Sequence, residues 1–451
     1  MSAGAARYVA DFRAFAGNGA AGAPAWLREL REAGIARFAE LDFPTMKQEE
    51  WRFTSVAPIA DTPFTRPHAA LAPRTALAPS RPAPPVPSAA AVEALALGAG
   101  PRLVFVDGRY VPELSSAALL PAGVRAGSLA AAIAGGAAGE LAREHLAHKT
   151  QWRDSAFTAL NTAFLADGAF VHVSAGVALP APLEVLYLAS GRAAPDGPTV
   201  THPRSLILLD AGAEAVVIET YAALADAVYW TNAVTEVVVG DGARAELYRV
   251  QREGGRGYQV ATTHTQQGRD STLGLHVVTL GAALARHDIR TVLAGTGAEL
   301  ILNGLYLLRG TQHADHHTVI DHAQPHCASH EFFNGVLAER AHGVFTGRII
   351  VRPGAQRTDS KQTNNNLLLS AEARADSQPQ LEIYADDVKC THGSTVGPVD
   401  PMQLYYLRSR GLSPEAAQSI LTYGFGAEIL GRMQHPDVRA RLDRLVRERL
   451  A

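Results

Sequence analysis

Cys390 and His392 stand two residues apart in the run Gln380-Leu381-Glu382-Ile383-Tyr384-Ala385-Asp386-Asp387-Val388-Lys389-Cys390-Thr391-His392-Gly393. On an extended segment, positions i and i+2 project from the same face. A thiolate sulfur and an imidazole nitrogen would then meet as a donor pair suited to iron, zinc or copper. The chain has 451 residues and only 2 cysteines, so a four-thiolate cage within one subunit is excluded and further ligands must come from elsewhere. The residues alone also permit a second reading, in which Cys390 is a small, inert hydrophobe.

Other groupings compete for attention. His313, His316, His317, His322, His326, Cys327 and His330 crowd into one short stretch and suggest a metal-dependent β-fold enzyme. Their spacing matches no zinc-finger pattern and contains no His-Glu-x-x-His motif. On strands they cannot all converge: the spacing lets His313 and His317 share a face, and likewise His322, His326 and His330. The alternative is a set of polar residues satisfied on faces and turns. Asp386 and Asp387 raise a carbohydrate-cleaving β-helix, yet adjacent strand residues diverge, so a turn would have to bring them together. Aromatic residues make up 7% of the chain, too few for a sugar-binding groove. Asn364-Asn365-Asn366 reads either as an asparagine ladder along a solenoid or as a polar turn. With no Walker A sequence and no dinucleotide glycine fingerprint, no nucleotide is expected on this chain.

The elements that would hold these residues are mostly short strands. Glu184–Leu188, Ser205–Leu209, Val216–Glu219, Val234–Val239, Glu246–Val250, Leu275–Leu280, Glu299–Leu302 and Arg348–Val351 are β-type runs separated by small turn residues, a pattern of solenoids, sandwiches or barrels. A weak internal echo accompanies them, with Gly212-Ala213-Glu214, Gly242-Ala243-Arg244 and Gly297-Ala298-Glu299 each preceding a strand at uneven intervals. Pro24 opens a helix whose Trp26, Leu30 and Ala33 share a face. Near the C-terminus Ser413, Pro414 and Glu415 give an N-cap, an N1 proline and a first-turn acid. A second helix begins near Pro436, with Val438, Leu442, Leu445 and Val446 on one face. The expected division is a helical region at 1–60, a Pro/Ala-rich linker at 61–100, a small α/β segment at 101–154, a β-body at 155–400 and a helical tail at 401–451. Apolar content of 47%, charged content of 19% and net charge −3 fit a globular chain without a nucleic-acid surface. No apolar run reaches the length of a membrane span and no secretory leader is legible, so a cytoplasmic location is expected.

Taken together, several runs carry a family resemblance. They are Phe345-Thr346-Gly347-Arg348-Ile349, Gln362-Thr363-Asn364-Asn365-Asn366-Leu367-Leu368-Leu369-Ser370, Pro379-Gln380-Leu381-Glu382-Ile383, Asp386 through Gly393, and Tyr406-Leu407-Arg408-Ser409-Arg410-Gly411. With Glu50-Trp51-Arg52-Phe53-Thr54 near the start, they resemble the SufB/SufD family of SUF iron–sulfur cluster scaffolds. The resemblance covers 40–60 and 150–430, with 60–150 generic. SufB-like chains usually carry a cysteine near the segment matching Asn364–Ser370; its absence here favours the SufD side and implies that a partner accepts sulfur.

The resemblance implies a right-handed parallel β-helix flanked by N- and C-terminal helical domains, acting as a non-enzymatic scaffold. It implies a heterodimer with a SufB-like paralogue through the β-helix ends, and allows a homodimer when the chain is alone. The helix Ser413–Leu430 would dock a SufC-like ATPase, with Ser413, Pro414, Ala417, Ile420, Leu421 and Phe425 in that surface. The family's key histidine falls on His392, with Cys390 nearby, as ligands of a transient Fe–S cluster shared with the partner. Imidazole serves as such a ligand in Rieske centres. A reduced flavin belongs to the assembled family complex, though no fingerprint for it is legible here.

Overall fold

The computed structural model describes residues 1–18, 22–67, 87–116, 120–191 and 197–450. Its organising feature is the corner behind the weak sequence echo. Gly212, Gly242 and Gly297 lie at φ +67°, +66° and +74°, where any Cβ is disfavoured. Asp270, His326 and Arg357 hold the equivalent positions at φ +51°, +61° and +58°. Corners therefore recur at intervals of 30, 28, 27, 29 and 31 residues. The echo skipped a turn only because Asp270 replaces glycine at one corner. The N–H of each corner residue donates to a carbonyl of the next corner, from Gly212 to Asp241 O (2.8 Å) through His326 to Gln356 O (2.9 Å) and Arg357 to Asp387 O (2.6 Å).

Between corners the chain runs extended. The strands in chain order are β1 (Arg102–Val106), β2 (Arg109–Tyr110), β3 (Val124–Ser128), β4 (Ala169–Val173), β5 (Leu183–Ala189), β6 (Thr199–Thr201), β7 (Arg204–Leu209), β8 (Glu214–Ala223), β9 (Tyr229–Val239), β10 (Arg244–Arg252), β11 (Tyr258–Gln267), β12 (Thr272–Thr279), β13 (Leu284–Leu293), β14 (Glu299–Leu308), β15 (His313–His322), β16 (Ala328–Leu337), β17 (His342–Val351), β18 (Asp359–Leu368), β19 (Arg374–Ile383) and β20 (Lys389–Pro398). One sheet runs β2-β1-β5-β8-β10-β12-β14-β16-β18-β20 and the other β19-β17-β15-β13-β11-β9-β7-β4-β3, with β6 beside β9. Successive strands from β8 onward alternate between sheets, and each pairs in parallel with the strand one coil away. This is a parallel β-solenoid, as the family resemblance implied.

All eight expected strand runs fall on strands, with Leu280 just past the end of β12. Strands β13, β15 and β18 escaped because polar residues interrupt their lumen-facing positions. His287, His316, Gln362 and Asn364 are all buried, which breaks the apolar/polar alternation by which a half-buried strand is recognised.

Two boundaries differ from expectation. Residues 101–154 do not form a separate α/β segment: β1 pairs in parallel with β5 and β3 pairs antiparallel with β4, so both belong to the solenoid's sheets. The helices of this stretch are α5 (Leu129–Ile133) and α6 (Gly136–His145), and its strand pairings are non-local, so no local pattern shows them. Most of the Pro/Ala-rich stretch, 68–86, lies outside the described residues, and the rest of the expected linker includes the helix α4 (Ala89–Leu95), capped by Ser88.

The N-terminal helices α1 (Ala3–Asn18), α2 (Ala25–Leu41), α3 (Ala57–Asp61) and α7 (Ala156–Ala163) cover the outer face of the second sheet. The buried face of α2 is Leu27, Arg31, Gly34, Ile35 and Phe38 rather than Trp26, Leu30 and Ala33. Gly34 decides the rotation, because a Cβ there would press 2.8 Å from the Ala163 nitrogen of α7. Two buried ion pairs clamp this layer to the sheet. Arg204 reaches Glu236 at 2.7 Å and donates to Asn161 of α7 at 3.0 Å. Arg286 reaches Asp315 at 2.7 Å while its guanidinium lies 3.7 Å from the ring centre of Trp51. Thr54 donates to the same Asp315 at 2.5 Å. The aromatic run Glu50–Thr54 is therefore a plug that seats on a buried charge pair.

The C-terminal helices are α8 (Pro401–Ser409), α9 (Pro414–Leu430) and α10 (Pro436–Leu450). Ser413 caps α9 by accepting from Ala416 N at 3.2 Å. Val438, Leu442 and Val446 of α10 are buried, as their spacing predicted.

Burial alone would raise the Asp315 carboxyl, but the Arg286 guanidinium and the His317 ring outweigh it and hold it well below the ordinary carboxylate range. Its stabilisation is therefore present above the unfolded value of about 3.9 and lost as pH falls below that. Asp315→Asn is expected to cost about 3 kcal/mol at pH 7, measured by urea unfolding, with the gap to wild type narrowing below about pH 4. An equal deficit at pH 7 and pH 3 would refute the ion-pair account.

Candidate functional site

Cys390 and His392 lie on β20, the last strand of its sheet, which among the described residues pairs only with β18. The register sets Cys390 beside Ser360 and His392 beside Gln362. Laterally paired residues of a parallel ladder share a face, and Ser360 and Gln362 are fully buried in the lumen. Both site residues therefore face the lumen, as their i, i+2 spacing required. Ser394, next on that face, donates to Ser377 of β19 at 2.8 Å, which ties the two end strands together across the lumen.

Exposure follows from position. Inner rungs are roofed by the next coil, whereas the last is not. His392 is exposed although it faces inward, and Cys390 is half-buried against the apolar core. Burial, then the nearby Asp359 carboxylate, push the Cys390 thiol up. A ligated thiolate here would need a cation to offset that cost. The donor chemistry of the pair suits iron, and two donors alone would leave a cluster incomplete. Around that end Ile383, Tyr384 and Val396 expose apolar surface. Among the described residues no strand neighbours the outer edges of β19 and β20, which leaves backbone donors and acceptors of the kind that invite strand addition.

The other groupings separate. On β15, His316 and His322 face the lumen while His313 and His317 face outward with Asp315, so that pair shares a face as expected. His322, His326 and His330 do not: His322 points inward, His326 sits in a corner at φ +61°, and His330 is exposed on the outer face of β16. Cys327 is buried with Sγ 3.3 Å from Gly295 O. Among the described residues, no three His, Cys, Asp or Glu are placed to hold a metal ion. Asp386 and Asp387 occupy the exposed corner between β19 and β20, where Asp387 pairs with Arg357 at 3.7 Å. The asparagine run divides between faces. Asn364 and Asn366 hydrogen-bond Tyr306 in the lumen. Asn365 faces outward, donates to Asn334 at 3.4 Å and accepts from Thr395 of β20 at 2.7 Å.

On α9, Ile420 is exposed, Ser413 and Pro414 form its exposed start, and Leu421 and Phe425 are half-buried. Ala417 is fully buried and packs rather than presents surface. Exposed apolar area on the tail is instead concentrated on α8, at Met402, Tyr405 and Tyr406. Sequence reasoning missed these because an isolated helix gives no sign of which face lacks a neighbour. It also passed over Gln362 and Glu331, whose side chains lie directly beneath the site. Gln362 stood in a run already notable for resemblance, whereas Glu331 carried no signal.

No helix of the described residues is long and apolar enough to cross a membrane. Residues 191–425 match the family described as SUF system FeS cluster assembly, SufBD core domain, and residues 94–185 match the SufBD protein N-terminal region. The match thus reaches into the stretch read as generic from sequence. The chain is 31% identical over 412 residues to the iron–sulfur cluster assembly protein SufD of Escherichia coli, covering 90% of this chain and 89% of that protein. An iron–sulfur cluster assembly SufBD family protein of Synechocystis is 31% identical over 426 residues, covering 92% and 89%. SufD of Bacillus subtilis is 30% identical over 291 residues, covering 63% and 64%.

The geometry orders the two thiols. In the native chain at pH 7.5, iodoacetamide is expected to label Cys390 slowly and Cys327 only after unfolding, read by peptide mass mapping. Labelling of Cys327 ahead of Cys390 would contradict the placement.

Proposed function

The chain belongs to the SufBD family of SUF-system iron–sulfur cluster assembly proteins, and from that premise we propose that it is the scaffold subunit that pairs with a SufB-like paralogue and builds a nascent cluster between them. One observation carries this reading: a half-buried thiol and an exposed imidazole share the lumen face of a terminal rung whose edge has no neighbouring strand among the described residues. A second solenoid docked end to end would complete the hydrogen-bond ladders, cover Ile383, Tyr384 and Val396, and bring its own donors opposite Cys390 and His392. The cluster is cargo, so a sparse donor set from this side favours release to a carrier. Sulfur would arrive on the partner, because the Asn364–Ser370 run holds no thiol here.

The helical tail is the docking element for a SufC-like ATPase in this reading, through Met402, Tyr405 and Tyr406 of α8 and Ile420 of α9. A hydrogen-bond chain joins α9 to the site strand. Asn334 donates to the Phe425 carbonyl of α9 at 3.0 Å, and Asn365 links Asn334 to Thr395 of β20. Displacement of α9 by ATP-driven movement of the ATPase would thus bear on the end rung and open the interface. A cytoplasmic setting, and a reduced flavin supplied by the assembled complex, complete the proposal.

The test is co-purification of this chain with SufB-like and SufC-like partners, followed by anaerobic iron and sulfide analysis. Wild type should yield a three-component complex that acquires labile iron and sulfide. His392→Ala should retain the partners and lose most of the cluster. Undiminished iron and sulfide in that variant would remove His392 from the ligand set.

A further inference from the structure

We propose that Gln362, held in one orientation by the buried Glu331 carboxyl, is a positioning residue for His392. Its side-chain carbonyl accepts the imidazole N–H and leaves the other ring nitrogen free to bind metal. This rests on the reading of His392 as a cluster ligand.

Three stacked strands carry the argument. The register places Glu331 of β16 beside Gln362 of β18, and Gln362 beside His392 of β20, all on the lumen face. Glu331 and Gln362 are fully buried. Gln362 Nε2 donates to Glu331 Oε2 at 2.6 Å, which commits the amide donor downward, away from the open end. Among the described residues Gln362 Oε1 has no hydrogen-bond partner. An orphaned buried acceptor is costly, and the neighbouring position on its open side is His392. Adjacent strands are about 4.8 Å apart, within reach of an imidazole leaning toward its neighbour. Among the described residues no hydrogen bond holds the His392 ring, so the chain offers this orphan acceptor and an unclaimed donor side by side.

The lumen is shaped for this amide. Across from it, Gly347 of β17 is extended, and a Cβ there would overlap the Gln362 side chain. Phe345-Thr346-Gly347 and Gln362-Thr363-Asn364, prominent in sequence with no assigned role, thus form one device. Metal-bound histidines generally donate their second N–H to a carbonyl or carboxylate, which fixes the tautomer and the ring plane. Gln362 is the carbonyl available for that purpose. Glu331, when ionised, keeps it pointed correctly, since an amide turned over would then set two acceptors against each other.

The experiment uses the full chain paired with its SufB-like partner under anaerobic conditions and titrates Co2+, followed by its ligand-field and sulfur charge-transfer absorption. Gln362→Met, close in size but without an acceptor, is expected to weaken Co2+ binding ten- to a hundredfold, while Gln362→Glu restores most of it. A role in packing alone would not distinguish those two variants. If Gln362→Met fails to pair with the partner, Glu331→Gln takes its place: it lets the amide turn and should weaken binding severalfold. Wild-type affinity in the variant that pairs, with binding lost in His392→Ala, overturns the positioning role and leaves the ligand reading intact. Wild-type affinity in His392→Ala removes the ligand reading and this inference with it.

Discussion

Parallel in-register stacking is the constraint on which the molecule depends. Each coil satisfies its backbone by pairing with the coils before and after it, and each rung shields the lumen face of the one beneath. The arrangement cannot satisfy its own last rung. At the N-terminal end the antiparallel strands β2 and β3 close the two sheets. At the C-terminal end β19 and β20 remain open. Exposure of an inward-facing imidazole, an unpaired strand edge and a cluster of surface apolar residues are consequences of that single asymmetry.

The same stacking allows an unusually polar interior. An apolar lumen would need only side-chain volume, but this one holds Glu219, Arg249, His287, His316, Glu331 and Asn364, all buried. Each needs a partner on a neighbouring rung or across the lumen, because a buried polar group without one is costly. Thr235 serves Glu219 at 2.9 Å, Gln259 serves Arg249 at 3.0 Å, Thr263 serves His287 at 2.8 Å and Thr279 serves His316 at 3.0 Å. Such demands lock neighbouring coils into a single register. Outside the lumen, the Arg204–Glu236 and Arg286–Asp315 pairs do the same for the helical layer.

Function follows from where the two organising systems end. The polar lumen stops one rung below the surface, and the outward asparagine column ends on the site strand while touching α9. On the proposed reading, ligand positioning from below and mechanical input from the side would reach β20 through different faces of the same strand, so that holding a cluster and releasing it would depend on different groups.

Sequence by itself determined the i, i+2 pairing of Cys390 with His392, the capped start of α9, the apolar stripe of α10 and the positions of eight strands. Each depends on local periodicity or on the chemistry of neighbouring residues. It also carried the family's signature runs, though not their physical purpose. Tertiary structure decided the rest. It split the histidine run between faces, separated Asn365 from Asn364 and Asn366, turned α2 by packing Gly34 on α7, and drew β1 and β3 into the solenoid. It also set Gln362 and Glu331 beneath His392, though they lie 30 and 61 residues earlier in the chain. Those facts depend on which coil lies beside which, and strand pairing joins residues about a coil apart that no local pattern connects.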